Sequence, residues 1–231
     1  MRFKTLPVAA LLATLSLAST ALAGPPLLCH TLDIGDAKSL PWTSQGWNLS
    51  PADSSYNTKN LAGDALSILN TDPTVIVHME TLRRATLFAQ NDPAAAKQLL
   101  LKLIARSDAA HSNSSAGALA SFDVGYFAAT LSQLHFIKKD FPNPATGIDS
   151  FARVNNALQV RPGDGQMEFA AALILLDGSD TRHQTYAQKA IADAKADALL
   201  TRNLNRHYFG PDSETVADTL TRSASTKLAR Q

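Results

Sequence analysis

The chain has 231 residues, 45% hydrophobic and 18% charged, with a formal net charge of +1. That composition supports one domain with a sizeable core and excludes wholesale disorder. Basic and acidic residues are interspersed, with no basic stripe to attract phosphate backbones, so nucleic acid is excluded as a partner.

Residues 1–23 read as a Sec-type signal peptide. Arg2 and Lys4 form a positive n-region, Leu6 to about Ala18 is apolar, and Ala21-Leu22-Ala23 offers small residues to a signal peptidase, which predicts cleavage after Ala23. The expected location is the periplasm or the exterior. Losing Arg2 and Lys4 moves the formal charge from +1 to −1. No later segment approaches the roughly 20 apolar residues of a membrane span.

Residues 24–60 form an irregular segment rich in Pro, Ser, Gly, Asn and Asp, expected to pack on the body that follows. It carries both tryptophans, Trp42 and Trp47, which either pin the loop to a core or line an aromatic site. It also carries the lone cysteine, Cys29, beside His30. Leu27 and Leu28 precede the cysteine where a lipoprotein signal needs a small residue. A c-type haem site lacks its second cysteine. Two readings stay open. Leu27, Leu28, Cys29, Leu32 and Ile34 form an extended apolar strip with a buried thiol, or Cys29 and His30 join a histidine of the body in a transition-metal or thiol site. An unpartnered thiol in an oxidising compartment also allows a Cys29-linked dimer.

From residue 61 the pattern is helical. Leu61, Ala65, Leu66 and Leu69 recur at steps of three and four. Asp72-Pro73 and Asn91-Asp92-Pro93 are helix starts, giving helices to about Gln90 and over 94–106. Residues 107–115 read as a polar loop, followed by a long helix over about 116–139. Phe141-Pro142-Asn143-Pro144 stops it. Helices over 147–160, 166–176 and 183–205 follow, and residues 207–231 form a polar tail beyond the helical domain of 61–206. No alternating strand pattern occurs, so the fold class is all-α. The boundaries pair the helices into αα-hairpins over about 73–106, 116–160 and 166–205. Units of this kind bury their apolar faces only by stacking into a superhelix.

Glu80, Arg83 and Arg84 stand at i, i+3 and i+4, the spacing of a helix-surface ion-pair cluster, with an anion-binding arginine pair as the alternative. Together with Tyr126 and Trp42 they are the candidate binding residues. His78 lies two residues before Glu80, on a different side of the helix. Asp123, within an apolar helix, reads as solvent-facing, or else as a buried and perturbed carboxylate. No G-x-S-x-G elbow, P-loop or G-x-G-x-x-G fingerprint is present, and nothing nominates a catalytic residue or a required cofactor.

Ala157-Leu158-Gln159-Val160-Arg161-Pro162 resembles the end of a tetratricopeptide repeat, with a small residue five before a proline. Gly163-Asp164 continues the turn. Glu168, Ala171, Ala172 and Leu175 then occupy the family's first-helix packing places. Ala187, Ile191 and Ala194 resemble the second helix if the turn is about three residues longer, and Ala85, Phe88 and Ala96 match loosely. The small positions Ala85, Gly125 and Ala172 are 40 and 47 residues apart, against a family period of about 34. The resemblance implies a right-handed superhelix acting as a non-enzymatic scaffold for a peptide or protein partner.

Overall fold

The structure, a computed structural model, describes residues 26–42, 49, 55–176 and 180–208. Residues 1–23, expected to be a signal peptide, Trp47, Gly178 and the residues from 209 on lie outside the described residues. Among the described residues there are eight α-helices, short 3-10 turns and no strand. The helices are α1 (Leu61–Leu69), α2 (Val75–Phe88), α3 (Pro93–Ala109), α4 (Ser115–Ile137), α5 (Ser150–Val160), α6 (Gly165–Leu176), α7 (Arg182–Asp193) and α8 (Ala198–Tyr208).

Local chemistry sets the helix starts. Orphan amides of a first turn need an acceptor, which a short polar side chain supplies. Asp92 Oδ1 accepts from Ala95 N at 3.1 Å, Ser114 Oγ from Gly117 N at 3.0 Å, and Asp149 Oδ1 from Ala152 N at 2.8 Å. Asp164 and Asp197 do the same for α6 and α8. The start of α2 is served from a distance, since Gln166 Oε1 accepts from Ile76 N at 3.0 Å.

The single helix expected over 183–205 is two helices. A 3-10 turn at Ala194–Ala196 separates α7 from α8, because the Asp197 side chain caps a new start. The chain stays helical through Tyr208, which puts His207 inside α8 rather than in a tail. The polar loop expected from 107 begins later, since α3 runs to Ala109.

The packing is layered around α2 and α4. Helix α4 lies against α2, α3, α5 and α6, and α6 against α5, α7 and α8. The pairs α4–α5 and α6–α7 are close neighbours, as hairpins require. The pair α2–α3 is different: α1 and α4 each pack against both of them. The 3-10 turn Ala89–Asn91 and the extended Asp92 (φ −137°) redirect the chain between them. At the α4–α5 crossing, a Cβ on Gly125 would sit 2.8 Å from both Ser150 O and Arg153 Cβ, so only a glycine permits this approach.

Helix α2 is the central element. Of its residues only Arg84 keeps partial exposure. A helix buried all round is ordinarily apolar all round, yet α2 contains His78, Glu80, Thr81, Arg83 and Thr86. Each buried polar group needs a partner, and those partners shape the site.

Candidate functional site

Residues 27–42 form a strap that crosses α2 twice. Leu27, Leu28, Leu32 and Leu40 are buried in the common core. Burying such side chains contributes about 1.5–3 kcal/mol each. The outgoing limb is gripped along its main chain. Gln133 Oε1 on α4 accepts from Leu27 N at 2.9 Å, Arg83 Nη1 donates to Leu28 O at 3.0 Å, and Glu80 Oε2 accepts from Leu32 N at 3.0 Å. On α8, Asn203 takes both main-chain groups of Asp33: its Oδ1 accepts from Asp33 N and its Nδ2 donates to Asp33 O, each at 2.8 Å.

The strap then turns. Gly35 adopts φ +59°, which favours glycine, and Asp33 Oδ1 accepts its N–H at 2.8 Å. On the return limb the Ser39 and Thr81 hydroxyls meet at 2.9 Å, Arg84 Nη1 donates to Leu40 O at 2.6 Å, and the Arg83 guanidinium lies 4.6 Å from the centroid of the Trp42 ring. The Trp42 ring therefore covers the arginines and pins the segment to the body.

Glu80 is the hub under both limbs. Its carboxylate accepts from Arg83 Nε at 2.7 Å and Nη2 at 2.9 Å, from Arg84 Nε at 2.7 Å, and from Leu32 N. Burial pushes the Glu80 carboxyl up, but the two guanidiniums and the Leu32 amide outweigh it and hold the group below the ordinary carboxylate range. Glu80 and Arg83 are fully enclosed, so the surface ion-pair cluster expected from their spacing is a buried one. The i, i+4 pattern placed these side chains on one helix face correctly. The strap covers that face.

Beside the hub stand Cys29, His30 and His207. The rings of His30 and His207 have centroids 5.4 Å apart, and Phe169 meets His207 edge-on at 5.3 Å. His207 Nδ1 lies 2.8 Å from Asn203 O. Burial lowers the His207 imidazole to about 3 and, with Arg206 and Arg83 nearby, lowers His30 as well. Burial raises the Cys29 thiol, with Arg83 opposing. Among the described residues no group of three or more His, Cys, Asp or Glu side chains is placed to hold a metal ion.

A second polar cluster lies beneath α2. His78 Nδ1 is 2.7 Å from Asp123 Oδ1, and His78 Nε2 is 2.6 Å from Asp72 O. Arg106 holds the other Asp123 oxygen and donates to Leu69 O at 3.0 Å. The solvent-facing reading of Asp123 is corrected: its carboxylate is fully enclosed, because α2 and α3 bring partners to it.

The structure gathers the nominated residues in one place. Glu80 pairs with Arg83 and Arg84, and both guanidiniums lie beside the Trp42 ring. Tyr126 is buried beside them, its hydroxyl raised by burial and then by the Glu80 charge. Cys29 and His30 lie on the strap itself. Three residues missed in the sequence complete the grip: Gln133, Asn203 and Arg202. A signal existed for the first two. Gln133 interrupts the apolar stretch between Leu131 and Leu134, and Asn203 shares a helical face with Leu200, Leu204 and His207.

No protein-family model, curated protein or solved structure matches this chain. Among the described residues no helix is long and apolar enough to cross a membrane. Residues and geometry therefore carry the functional reading.

Proposed function

We propose that this is an exported, non-enzymatic helical protein whose hairpins stack in the tetratricopeptide manner and hold a peptide or protein partner. One observation carries the reading. Side chains of α2, α4 and α8 form a seat that holds residues 27–40 of the chain through main-chain groups, at Leu27 N, Leu28 O, Leu32 N, Asp33 N, Asp33 O and Leu40 O. Main-chain groups are common to every peptide, so a grip of this kind accepts non-helical peptide segments, and side-chain sockets add selectivity. Export is supported by the n-region, apolar run and Ala21-Leu22-Ala23 site of residues 1–23.

A library of displayed linear peptides tests this on the full chain, both wild type and a Leu28→Asp variant with a loosened strap. The expected result is enriched peptides whose affinity falls about tenfold on adding Asn203→Ala, the loss of two main-chain hydrogen bonds. Failure of both proteins to enrich any peptide, or enrichment indifferent to Asn203, would overturn the reading.

A further inference from the structure

With the strap in place, His207 has no room for a second proton. Its Nδ1 lies 2.8 Å from Asn203 O, and a carbonyl oxygen only accepts, so Nδ1 carries the ring's hydrogen. The lone pair is then on Nε2, which is sealed from solvent and has no hydrogen-bond partner. Protonation there would create a buried N–H without an acceptor and a buried charge, both costly.

The neighbours of the ring add to that cost. The strap presents His30, itself buried, with its ring centroid 5.4 Å from that of His207. Helix α2 presents Arg83 and the Glu80 carboxylate, whose charge is already shared between Arg83 and Arg84. Helix α8 adds Arg206, and α6 the edge-on ring of Phe169. His30 is no better placed to take the proton, since burial and then Arg206 and Arg83 disfavour its cation. Two imidazoles thus face each other across the contact between strap and α8, and the closed contact resists a charge on either.

That contact can part. The strap amides of Leu32 and Asp33 end on the side chains of Glu80 and Asn203, not on a ladder of main-chain bonds. Separation gives both imidazoles access to water. The carboxylates at the strap stay ionised in mild acid. Glu80, despite its burial, is held low by the two guanidiniums, and Asp33 is held low by its bond from Arg202. Of these groups the histidines alone change state between pH 7 and 5.

We infer that the His30–His207 contact is an acid-sensitive latch: in mild acid residues 27–33 leave the body by a local opening that uncovers the Glu80–Arg83 hub, while the helices stay folded. The inference concerns the strap and the body alone and does not depend on a peptide partner. Its sign follows from linkage. Burial holds His207 at about 3 in the closed form, against an ordinary 6.5. Stability from a depressed group is present above pH 6.5 and lost as pH falls toward 3, so the open form takes up the proton. Between pH 7 and pH 5 the open population rises about 25-fold for His207 alone. His30 acts in the same sense.

Hydrogen exchange read by mass spectrometry on the full chain tests this. The amides of Leu32 and Asp33 are compared with those in the middle of α4, each corrected for its intrinsic exchange rate at that pH. The strap amides should be less protected than α4 at both pH values and should lose protection about 25-fold or more from pH 7 to pH 5. Protection equal to that of α4 would mean that the strap leaves only on global unfolding, and overturns the inference. So does a fall of less than about threefold. His207→Phe should shrink the fall by about 25-fold, leaving the share of His30, and an undiminished fall overturns the assignment to His207. Should that chain not fold, a wild-type series from about pH 7.5 to 4 decides. Loss setting in near 6.5 marks the histidines, whereas loss only near 4 marks carboxylates and sinks the latch.

Discussion

His78 and Asp123, 45 residues apart in sequence, meet at 2.7 Å with both side chains sealed from solvent. The other ring nitrogen of His78 faces Asp72 O at 2.6 Å. Both nitrogens thus point at acceptors, and a ring that donates from both is an imidazolium. With Arg106 on the second carboxylate oxygen and on Leu69 O, the cluster ties the end of α1 to α2, α3 and α4. Removing the anion leaves the sealed His78 cation and the half-buried Arg106 cation without the charge that joins them. Asp123→Asn should therefore cost about 3–5 kcal/mol in denaturant unfolding. A loss below about 1 kcal/mol would refute the cluster as a fold anchor.

The same histidine imposes a pH dependence on stability. Burial disfavours the His78 cation, but Asp123 and the Asp72 carbonyl outweigh burial and the opposing Arg106, and raise it above the ordinary imidazole value of 6.5. A raised folded value means the contribution is fully present below pH 6.5 and is lost as pH rises through the folded value. The stability gap between wild type and His78→Gln should be constant in mild acid and shrink on the alkaline side. A gap that widens with pH would reverse the assignment.

His207 works in the opposite sense. Burial holds it at about 3, with His30 and Arg206 lowering it further against Asn203 O and Glu80. Stability from this depressed group is present above pH 6.5 and declines as pH falls toward 3. The slope contributed is about 1.4 kcal/mol per pH unit. Replacing the ring with His207→Phe should flatten stability between pH 6.5 and 5, in urea titrations at each pH. An unchanged slope would place the acid sensitivity elsewhere.

How far these relationships were legible depends on whether a partner was local. The helix start at Asp92 was readable because a cap acts on an amide a few residues away, whereas the helix expected from 147 begins only at Ser150, after its cap at Asp149. The Glu80–Arg83–Arg84 grouping was readable for the same reason, as one turn of α2. Its burial was not, because the cover comes from residues 27–42, whose apolar content shows but whose docking position does not. Asn203 and Asp33 are 170 residues apart, and no periodicity links an asparagine in one helix to the backbone of an extended strap. The break at Ala194–Ala196 was hidden by strong helix formers on both sides, which mask a cap at Asp197.

Cys29 reports on the strap directly. Burial raises its thiol, with Arg83 opposing only in second place, and the thiolate is the reactive form. Labelling by a disulfide reagent at pH 8 should be slower in the native chain than in denaturant by about an order of magnitude. It should accelerate in Leu28→Asp, where the strap is loosened. Native labelling as fast as unfolded labelling would mean that the strap does not protect the thiol.

Glu168 offers a substitution that stabilises. It lies in the first turn of α6, 6% exposed, and its Oε2 has no hydrogen-bond partner. Burial and then the Asp193 carboxylate push it up to about 7, against Lys189. A raised carboxyl keeps its proton in the folded state, so its contribution is present below pH 4.5 and lost as pH rises through 7. Above that, folding must bury a carboxylate beside another one. Glu168→Gln keeps the shape and removes the charge. Its melting temperature should match wild type at pH 5 and exceed it at pH 8. A variant less stable than wild type at pH 8 would show that the ionised carboxylate holds a favourable contact in the fold.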